Sequence, residues 1–261
     1  MAIVGFIGTG NMGGALARAA AKSPRTDRLL LSNRTPEKAE KLARELQAEA
    51  TDNRGVAAQA QLLFLAVKPQ QMEGLLKGVR DTLAARTDRY VVASMVAGWE
   101  VAALREALGA PVIRIMPNIP VAVGGGVTLF CASADVTEEE KQTLREVLAP
   151  SGQVSELEES LLDAATGVTG CGPAYAAMFL EALADGAVAC GVPRRQAVEY
   201  AARMVSGTAR LILATGEHPG ALKDRVCSPG GSTIQGVRTL EERGFRAAVM
   251  DAVIAAYEKE F

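Results

Sequence analysis

The 261-residue sequence predicts an α/β fold in which a doubly wound parallel sheet is followed by an all-helical second half. Three observations support this prediction. An apolar run near the start leads through a glycine-rich turn into an alanine-rich helix. Further apolar, strand-like runs then alternate with helical segments, as expected for parallel strands buried on both faces. After about Leu157 the strand-like runs disappear.

The first strand, at residues 3–7, is followed by a glycine turn and a helix at residues 14–20. Gly8, Gly10 and Gly13 have the G-x-G-x-x-G spacing. In that motif the first glycine makes a tight turn, the second lets the backbone approach a pyrophosphate, and the third lets helix and strand pack closely. Free N–H groups at the helix N-terminus would bind the phosphates. The pattern indicates a Rossmann-type dinucleotide site; the alternative is an ordinary glycine-rich strand–helix turn.

The end of the second apolar run predicts which dinucleotide binds. Asn33 lies about twenty residues beyond Gly13, where a site for NAD usually carries a carboxylate for the ribose 2′-OH. Asn33 and Arg34 are instead hydrogen-bond donors that suit a 2′-phosphate. We therefore expect NADP(H) to be preferred over NAD(H). The alternative is a solvated Arg34 beside a helix that starts at Thr35 and Pro36.

The rest of the first half continues the alternation. We expect strands at residues 62–67, 90–95 and 112–116, and helices at residues 36–48, 70–83, 100–108 and 137–148. Residues 115–134 are uncharged, but their prolines and glycines predict strand–loop–strand rather than a membrane span. A last strand near residues 151–154 divides the chain into a dinucleotide-binding domain, residues 1–156, and a helical domain, residues 157–261.

The second half is predicted to be helical at residues 173–190, 195–214, 232–243 and 245–259. The first of these helices carries only Glu181 and Asp185 as charges, so we expect it to be buried on most sides. Its partner could be a second copy of the chain or the core of its own domain, and the sequence leaves both open. The single histidine, His218, is expected at a loop or helix end, because it lacks the orienting partners that catalysis needs.

Composition excludes several function classes. A net charge of −2 and 4% aromatic residues leave no basic, base-stacking surface for nucleic acid. The first residues lack the basic segment of a signal peptide. The scattered Cys131, Cys171, Cys190 and Cys227 form no C-x-x-C pair and are expected to be reduced thiols of a cytoplasmic protein. With one histidine, no metal site is expected.

Further ligand groups are expected where the predicted strands end, because open α/β sheets bind ligands there. Lys68 and Asn118 are candidates, with a surface lysine and a turn residue as alternatives. In the helical half, residues 228–233 form a Pro-Gly-Gly loop between two helices. Its hydroxyls and unhindered N–H groups suit a small carboxylate, although an N-capped turn would use the same residue types.

These segments together resemble the pyrroline-5-carboxylate reductases over essentially the whole chain. The most specific matches are TGCGPAY at residues 169–175 and KDRVCSPGGST at residues 223–233. The departures are Cys171 in place of the usual serine, Ser232 in place of threonine or alanine, and Arg225 where another polar residue is common. The resemblance implies a reductase that uses NADPH, and in many members NADH, to convert Δ1-pyrroline-5-carboxylate to L-proline in the last step of proline biosynthesis.

The resemblance also implies the site residues and the assembly. The cofactor would be held by Ile7, Gly8, Thr9, Gly10, Asn11, Met12, Asn33, Arg34, Asn53, Ala66, Val67, Lys68, Pro69, Met95, Val96 and Ala97. The substrate would be held by Ser228, Gly230, Gly231, Ser232 and Thr233, with Glu159 and Arg225 as further contacts. The family is dimeric through interlocked helical domains, often with five dimers in a decamer, which would allow a composite site with residues of a neighbouring chain.

The expected reaction is hydride transfer to the imine carbon with protonation of the ring nitrogen. We expect Thr233 to hydrogen-bond that nitrogen and to help deliver the proton. One alternative is a β-hydroxyacid dehydrogenase or another imine reductase, but the helical lysine that the hydroxyacid enzymes use is absent near Tyr175. Another is a non-catalytic NADP(H)-binding regulator, which need not retain residues 228–233.

Overall fold

The computed structural model describes residues 1–260, and the chain divides into two compact units, with the boundary in sequence after Gly170. The elements of the first unit are β1 (Ala2–Ile7), α1 (Asn11–Ala20), β2 (Thr26–Ser32), α2 (Pro36–Leu46), β3 (Glu49–Ala50), α3 (Asn53–Gln59), β4 (Leu62–Leu65), α4 (Met72–Ala84), β5 (Val91–Ser94), α5 (Val101–Leu108), β6 (Val112–Pro117), β7 (Gly126–Ala132), α6 (Glu138–Leu148), β8 (Gly152–Glu156) and α7 (Glu159–Thr169). Short 3₁₀ turns occupy Pro69–Gln71, Ile119–Val123 and Ala149–Ser151.

The strands form one sheet in the order β3-β2-β1-β4-β5-β6-β7-β8. The chain adds β2 and β3 on one side of β1 and then adds β4 on the other, so the switch point lies between β1 and β4. Ligands of doubly wound sheets bind at the carboxyl ends of the strands at such a point. The α/β fold predicted from the sequence is therefore confirmed.

One strand pair departs from the parallel arrangement. All neighbouring strands run parallel except β6 and β7, which are antiparallel. The connection between them spans only residues 118–125, whereas a parallel crossover needs a dozen or more residues. The sequence predicts strand–loop–strand here without giving its direction of pairing.

Apolar side chains from both faces of the sheet build the core of this unit. Phe6 and Phe64 stack with ring centroids 4.3 Å apart on the face that α1, α2 and α6 cover. Leu63 and Leu65 point to the opposite face, which α3, α4 and α5 cover. The apolar strands are thus buried on both sides, and this rigid layer fixes the positions of the loops at their ends.

Several helix ends follow from local sequence. Pro36 occupies the first turn of α2 after Thr35, although the Thr35 hydroxyl makes no capping hydrogen bond. Thr137 and Glu140 form a capping box at the start of α6. Gly109 ends α5 in the left-handed conformation.

Three elements of the first unit, β3, α3 and α7, were not predicted from the sequence. The two-residue β3 and the seven-residue α3 are too short for a periodic pattern to show. α7 contacts β6 and β7, and this helix accounts for the difference between the contact boundary after Gly170 and the sequence-based boundary after residue 156. The latter stays a prediction.

The second unit is described from Cys171 onward and contains only helices among the described residues: α8 (Gly172–Ala189), α9 (Arg194–Thr215), α10 (Pro219–Val226), α11 (Ser232–Glu242) and α12 (Phe245–Glu260). α8 packs along α9 and is tied to α12, because the Tyr175 hydroxyl donates to the Ala252 carbonyl at 3.0 Å. Phe179 and Phe245 add an aromatic contact between the same two helices, with centroids 5.8 Å apart.

Of the two partners considered for α8, the core of its own domain is wrong, because a single chain leaves most of this helix at least partly exposed. Ala184 is its only buried residue, and Met178 is 69% exposed. The physical reason is that the few neighbouring helices of the same chain cover only part of this apolar helix, so it is not the core of its own domain. Across residues 1–260, no helix is long and apolar enough to cross a lipid bilayer.

Candidate functional site

The glycine turn between β1 and α1 has a shape that only glycine permits at two positions. Gly8 has φ +102°, and a Cβ there would lie 2.4 Å from the Ala66 carbonyl oxygen. A Cβ at Gly13 would lie 2.2 Å from the Gly8 carbonyl oxygen. Gly10 is different, because a Cβ there would meet nothing within 4 Å. The turn is therefore tightly packed at Gly8 and Gly13, whereas the space next to Gly10 is open.

The start of α1 is left free for an anionic ligand. Its N-cap residue, Gly10, has no side chain to satisfy the N–H groups of the first turn, and these groups have no partner within the helix. The Thr9 side chain is buried, and its hydroxyl has no hydrogen-bond partner among the described residues. Open space, free N–H groups and an unpaired hydroxyl together fit the diphosphate of a dinucleotide.

The end of β2 is joined to the glycine turn by side chains. The Thr9 N–H donates to Oδ1 of Asn33 at 3.2 Å, and Nδ2 of Asn33 donates to the Thr35 carbonyl at 3.1 Å. The buried Ser32 hydroxyl donates to Oδ1 of Asn53 at 2.8 Å, which leaves the Asn53 amide hydrogens for another acceptor. Three of the residues expected to hold the cofactor, namely Thr9, Asn33 and Asn53, thus lie at one edge of the sheet.

A cleft of about 510 Å³ opens at this edge, and we call it the β2–α3 cleft. Its lining includes Asn33, Pro36, Ala39, Asn53, Arg54 and Gly78. A second cleft, of about 660 Å³, is lined by Thr9, Gly10 and Asn11 together with Lys38 and Lys41 of α2. Sequence reasoning missed Arg54, Lys38 and Lys41, because each is an ordinary basic residue on a helix until the fold brings it to a cleft.

Arg34 follows Asn33 at this edge. It is exposed, and no ion pair or hydrogen bond engages its guanidinium within residues 1–260. A free guanidinium beside the start of α2 can donate two parallel hydrogen bonds to a phosphate. This arrangement fits the 2′-phosphate predicted from the sequence.

The ends of β4 and β5 supply the remaining cofactor candidates. Ala66, Val67 and Met95 are half-buried, whereas Lys68, Pro69 and Ala97 are exposed. The side chains of Ile7 and Val96 are each 1% exposed and belong to the core. These two residues could therefore meet a ligand only through their main chain.

Glu159 is part of an ion cluster around the buried Arg114, on the side of α7 that contacts the sheet. The Arg114 side chain is 5% exposed, and its guanidinium lies 2.7 Å from Oδ1 of Asp163 and 3.4 Å from Oε1 of Glu159. The same Glu159 oxygen accepts the Val101 N–H at 2.8 Å. The cluster joins β6, α7 and the start of α5. A substrate contact by Glu159 remains a prediction.

Asn118 is also committed to the protein. It is buried, its Oδ1 accepts the Val127 N–H at 2.9 Å, and its Nδ2 donates to the Thr169 carbonyl at 2.9 Å. It therefore ties the β6–β7 connection to the end of α7. Of the two roles considered from the sequence, this geometry favours the structural one.

The Pro-Gly-Gly loop of the second unit is a tight turn that leads into α11. The Gly231 N–H donates to the Ser228 carbonyl at 3.0 Å, and Gly230 has φ +70°. A Cβ at Gly231 would lie 2.4 Å from the Ser228 hydroxyl oxygen. Ser232 and Thr233 are exposed in the uncapped first turn of α11. Hydroxyls and free N–H groups thus converge in the manner that a carboxylate requires.

The neighbours of this loop have partners of their own. Arg225 pairs with Glu217 at 3.0 Å. His218 caps α10, since its Nδ1 accepts the Gly220 N–H at 3.0 Å, and its expected place at a helix end is confirmed.

Tyr175, in the first turn of α8, keeps its hydroxyl as a hydrogen-bond donor, because burial and the neighbouring Cys171 raise its pKa. In the part of the chain that the structure describes, no group of three or more His, Cys, Asp or Glu could hold a metal.

Two family models match the two halves of the chain. Residues 3–98 match the model described as "NADP oxidoreductase coenzyme F420-dependent". Residues 159–260 match the model described as "Pyrroline-5-carboxylate reductase dimerisation".

Full-length relatives and solved structures agree with these matches. The chain is 41% identical over 261 residues to a pyrroline-5-carboxylate reductase of Escherichia coli, covering 98% of this chain and 96% of that protein. It is 38% identical over 269 residues to one of Methanosarcina acetivorans, with the same shares. A crystal structure of the Plasmodium falciparum enzyme with NADP bound superposes with a TM-score of 0.86 at 28% identity, over 99% of this chain and 97% of that one. The Coxiella burnetii structure gives a TM-score of 0.91 at 28% identity, with the same coverage.

Proposed function

The chain belongs to the pyrroline-5-carboxylate reductase family, and we propose that it reduces Δ1-pyrroline-5-carboxylate to L-proline with NADPH as the preferred donor and NADH as a second one. The observation that carries the proposal is the glycine turn at the switch point of the sheet. That turn leaves open space above Gly10 beside the free N-terminus of α1. The same chain contains the Pro-Gly-Gly loop, which a protein that only binds a dinucleotide would not need.

The cofactor site is proposed from the residues of the first unit. The first turn of α1 and the Thr9 hydroxyl would hold the diphosphate, and the β2–α3 cleft would take the adenosine. Arg34 would bind the 2′-phosphate, because its guanidinium is exposed and has no ion pair among the described residues. When bound, the reduced nicotinamide supplies the hydride. The main chain at Ile7 and Val96, with residues 66–69, would line the remainder of the site.

The substrate site is proposed from the loop of the second unit. The N–H groups of Ser232 and Thr233, in the uncapped first turn of α11, would bind the carboxylate, and the side chains of Ser228 and Ser232 would orient it. Thr233 would donate its hydroxyl hydrogen bond to the ring nitrogen and help to deliver the proton, directly or through water. Protonation makes the imine carbon more electrophilic. Positioning of this kind is worth roughly 7–11 kcal/mol for well-oriented reactants.

A turnover assay tests the proposal directly. Purified protein is mixed with NADPH and Δ1-pyrroline-5-carboxylate, the NADPH absorbance is followed, and the product is identified. Consumption of NADPH with formation of one L-proline per NADPH is the expected result, and NADH should support a slower reaction. Tight binding of NADPH without turnover would contradict the proposal and would favour another imine, a hydroxyacid or a regulatory role.

Self-association is proposed at two levels. The match of residues 159–260 to a dimerisation domain and the exposed apolar side chains of α8 and α12, such as Met178 and Ile254, support a homodimer. The finer assembly, a decamer of five dimers, is proposed from the family resemblance alone. Mass measurement in solution distinguishes about 55 kDa from about five times that mass, given 27.3 kDa per chain.

The proposal also includes the cellular location of the protein and its binding partners. We propose a cytoplasmic protein, since all four cysteines are free thiols. We also propose that its partners are its small-molecule ligands and its own copies rather than nucleic acid or membrane. Cell fractionation tests the location, and a gel-shift assay with duplex DNA and a flotation assay with anionic vesicles test the partners.

A further inference from the structure

Arg54 occupies an unusual position for a basic residue on a helix surface. It is the second residue of α3, and its Nε donates to the Gly78 carbonyl of α4 at 3.1 Å. The hydrogen bond anchors the inner edge of the guanidinium. The outer nitrogens, Nη1 and Nη2, have no hydrogen-bond or carboxylate partner within residues 1–260.

The anchored guanidinium lies on the wall of the β2–α3 cleft. The same cleft is lined by Pro36 and the buried Ala39 of α2, which offer an apolar surface. Asn53, the neighbour of Arg54, has its Oδ1 occupied by Ser32 and therefore presents amide hydrogens. The cleft thus combines an apolar surface, a planar cation and an amide donor in about 510 Å³.

This combination suits a flat, neutral, nitrogen-rich ring. Guanidinium groups stack on aromatic faces, and a guanidinium held by one hydrogen bond loses less freedom on stacking than a free one. The ring nitrogens of a purine can accept hydrogen bonds from a nearby amide. A phosphate would instead be expected beside the free N–H groups of a helix start, as at α1, or at an exposed guanidinium without a partner among the described residues, as at Arg34.

We propose that Arg54 holds the adenine ring of the dinucleotide by stacking its guanidinium on the base. This inference rests on the proposed use of NADPH and NADH but assigns a residue that sequence reasoning did not consider. Adenine is common to both dinucleotides, whereas the 2′-phosphate belongs to NADPH alone. Arg54 therefore contributes equally to both affinities, and Arg34 contributes to NADPH only.

The test measures binding, without turnover, by titration calorimetry with NADPH and with NADH. Arg54→Ala is expected to raise both dissociation constants by the same factor, about 5- to 30-fold. Arg54→Lys keeps the positive charge but lacks the planar guanidinium that stacks on the base, so it should recover little of this loss. Arg80→Ala is the matched control, because Arg80 is an exposed arginine of the neighbouring α4 that lines a different cleft. It should leave both constants unchanged.

Three results would overturn the proposal. A loss confined to NADPH would make Arg54 a phosphate ligand. Unchanged dissociation constants with a lowered melting temperature would make it only a tie between α3 and α4. Absence of dinucleotide binding by the unmodified protein would remove the cofactor site itself. Binding as expected, without reduction of pyrroline-5-carboxylate, would support the role of Arg54 and contradict the proposed reaction instead.

Discussion

The main-chain N–H of Thr9 donates a hydrogen bond to the side-chain oxygen of Asn33 at 3.2 Å. The first residue lies in the glycine turn and the second follows β2, so one side chain connects the proposed diphosphate and ribose positions. An aspartate could accept the same hydrogen bond. It could not donate to the Thr35 carbonyl, as Nδ2 of Asn33 does at 3.1 Å.

Asn33→Asp should therefore separate the two cofactors. The acceptor for the Thr9 N–H is retained, but the new charge repels a 2′-phosphate and faces the Thr35 carbonyl. We expect KM for NADPH to rise about 10-fold and KM for NADH to change by less than about 3-fold. Steady-state kinetics with both donors measures this. Equal losses for the two would contradict the assignment of Asn33 to the ribose end.

Arg34→Ala removes a guanidinium that is free for the 2′-phosphate. Hydrogen bonds to charged groups are worth more than neutral ones, so KM for NADPH should rise about 10- to 100-fold while KM for NADH stays nearly constant. Arg44→Ala is a suitable control, because Arg44 is another exposed arginine near the end of α2. An equal rise in KM for NADPH and for NADH would contradict the assignment of Arg34 to the 2′-phosphate.

A matched pair of glycine substitutions distinguishes packing from ligand contact. Gly8→Ala places a Cβ against the Ala66 carbonyl at φ +102° and should lower the free energy of unfolding by at least about 1–3 kcal/mol. Gly10→Ala meets no protein atom within 4 Å and should leave stability unchanged. Its methyl group would occupy the proposed diphosphate space, so NADPH binding should weaken. Denaturant unfolding and calorimetry check both, and unaltered NADPH affinity in Gly10→Ala would move the diphosphate elsewhere.

Thr233 can be tested without risk to the fold, because it is exposed in the first turn of α11. Thr233→Ala should lower kcat by about 10²-fold or more, in the range of a positioned proton donor, and Thr233→Ser should restore most of it. The substrate KM should change less than kcat in the alanine variant. Equal turnover of the alanine variant and the unmodified protein would exclude this role.

The ion cluster around Arg114 predicts a large loss of stability. Asp163→Ala removes the nearer of the two carboxylates that pair with the buried Arg114 guanidinium and leaves only Glu159, at 3.4 Å, so it should cost about 1.5–3 kcal/mol. Glu199→Ala breaks a surface pair with Arg203 and should cost less than about 0.5 kcal/mol. Denaturant unfolding of the two variants gives the comparison. Similar losses in both would mean that Arg114 finds water or another partner.

The buried thiol of Cys131 predicts that the free energy of unfolding falls at alkaline pH. Burial, with the nearby Glu159 as a smaller cause, raises the pKa of Cys131 to about 12. In the unfolded chain the thiol ionises near about pH 8.5, so above that pH the folded state binds the extra proton and the free energy of unfolding falls by about 1.4 kcal/mol per pH unit. No such loss occurs below pH 8, where the thiol is protonated in both states.

The comparison of Cys131→Ala with the unmodified protein isolates this effect. Between about pH 8.5 and 10 the unmodified protein should lose about 2 kcal/mol more than the variant does. Cys190→Ala, at an exposed cysteine, should retain the full pH dependence. Parallel pH profiles for Cys131→Ala and the unmodified protein would contradict the prediction.

Most of the correct fold prediction came from long apolar runs and from helical segments of many residues. The apolar runs that became β1, β4, β5 and β6 and the long helices α8 and α9 lie close to their expected positions. Short elements such as β3 and α3 were missed, because their geometry depends on neighbours rather than on their own residues. For α8 only the alternative of its own domain core is wrong. An apolar helix indicates that it packs against other apolar surface, but its sequence does not show which chain provides that surface.

Residue order alone was enough for the α/β class and the glycine turn, and it also predicts that the end of β2 suits a 2′-phosphate better than a ribose hydroxyl. Those features depend on residue type at short, regular spacing, which local chemistry dictates. The antiparallel β6–β7 pair, the Arg114 cluster and the place of Arg54 beside the β2–α3 cleft became visible only in the folded chain. Each of these joins residues distant in sequence, and such contacts arise only when the packed sheet and its helices bring them together.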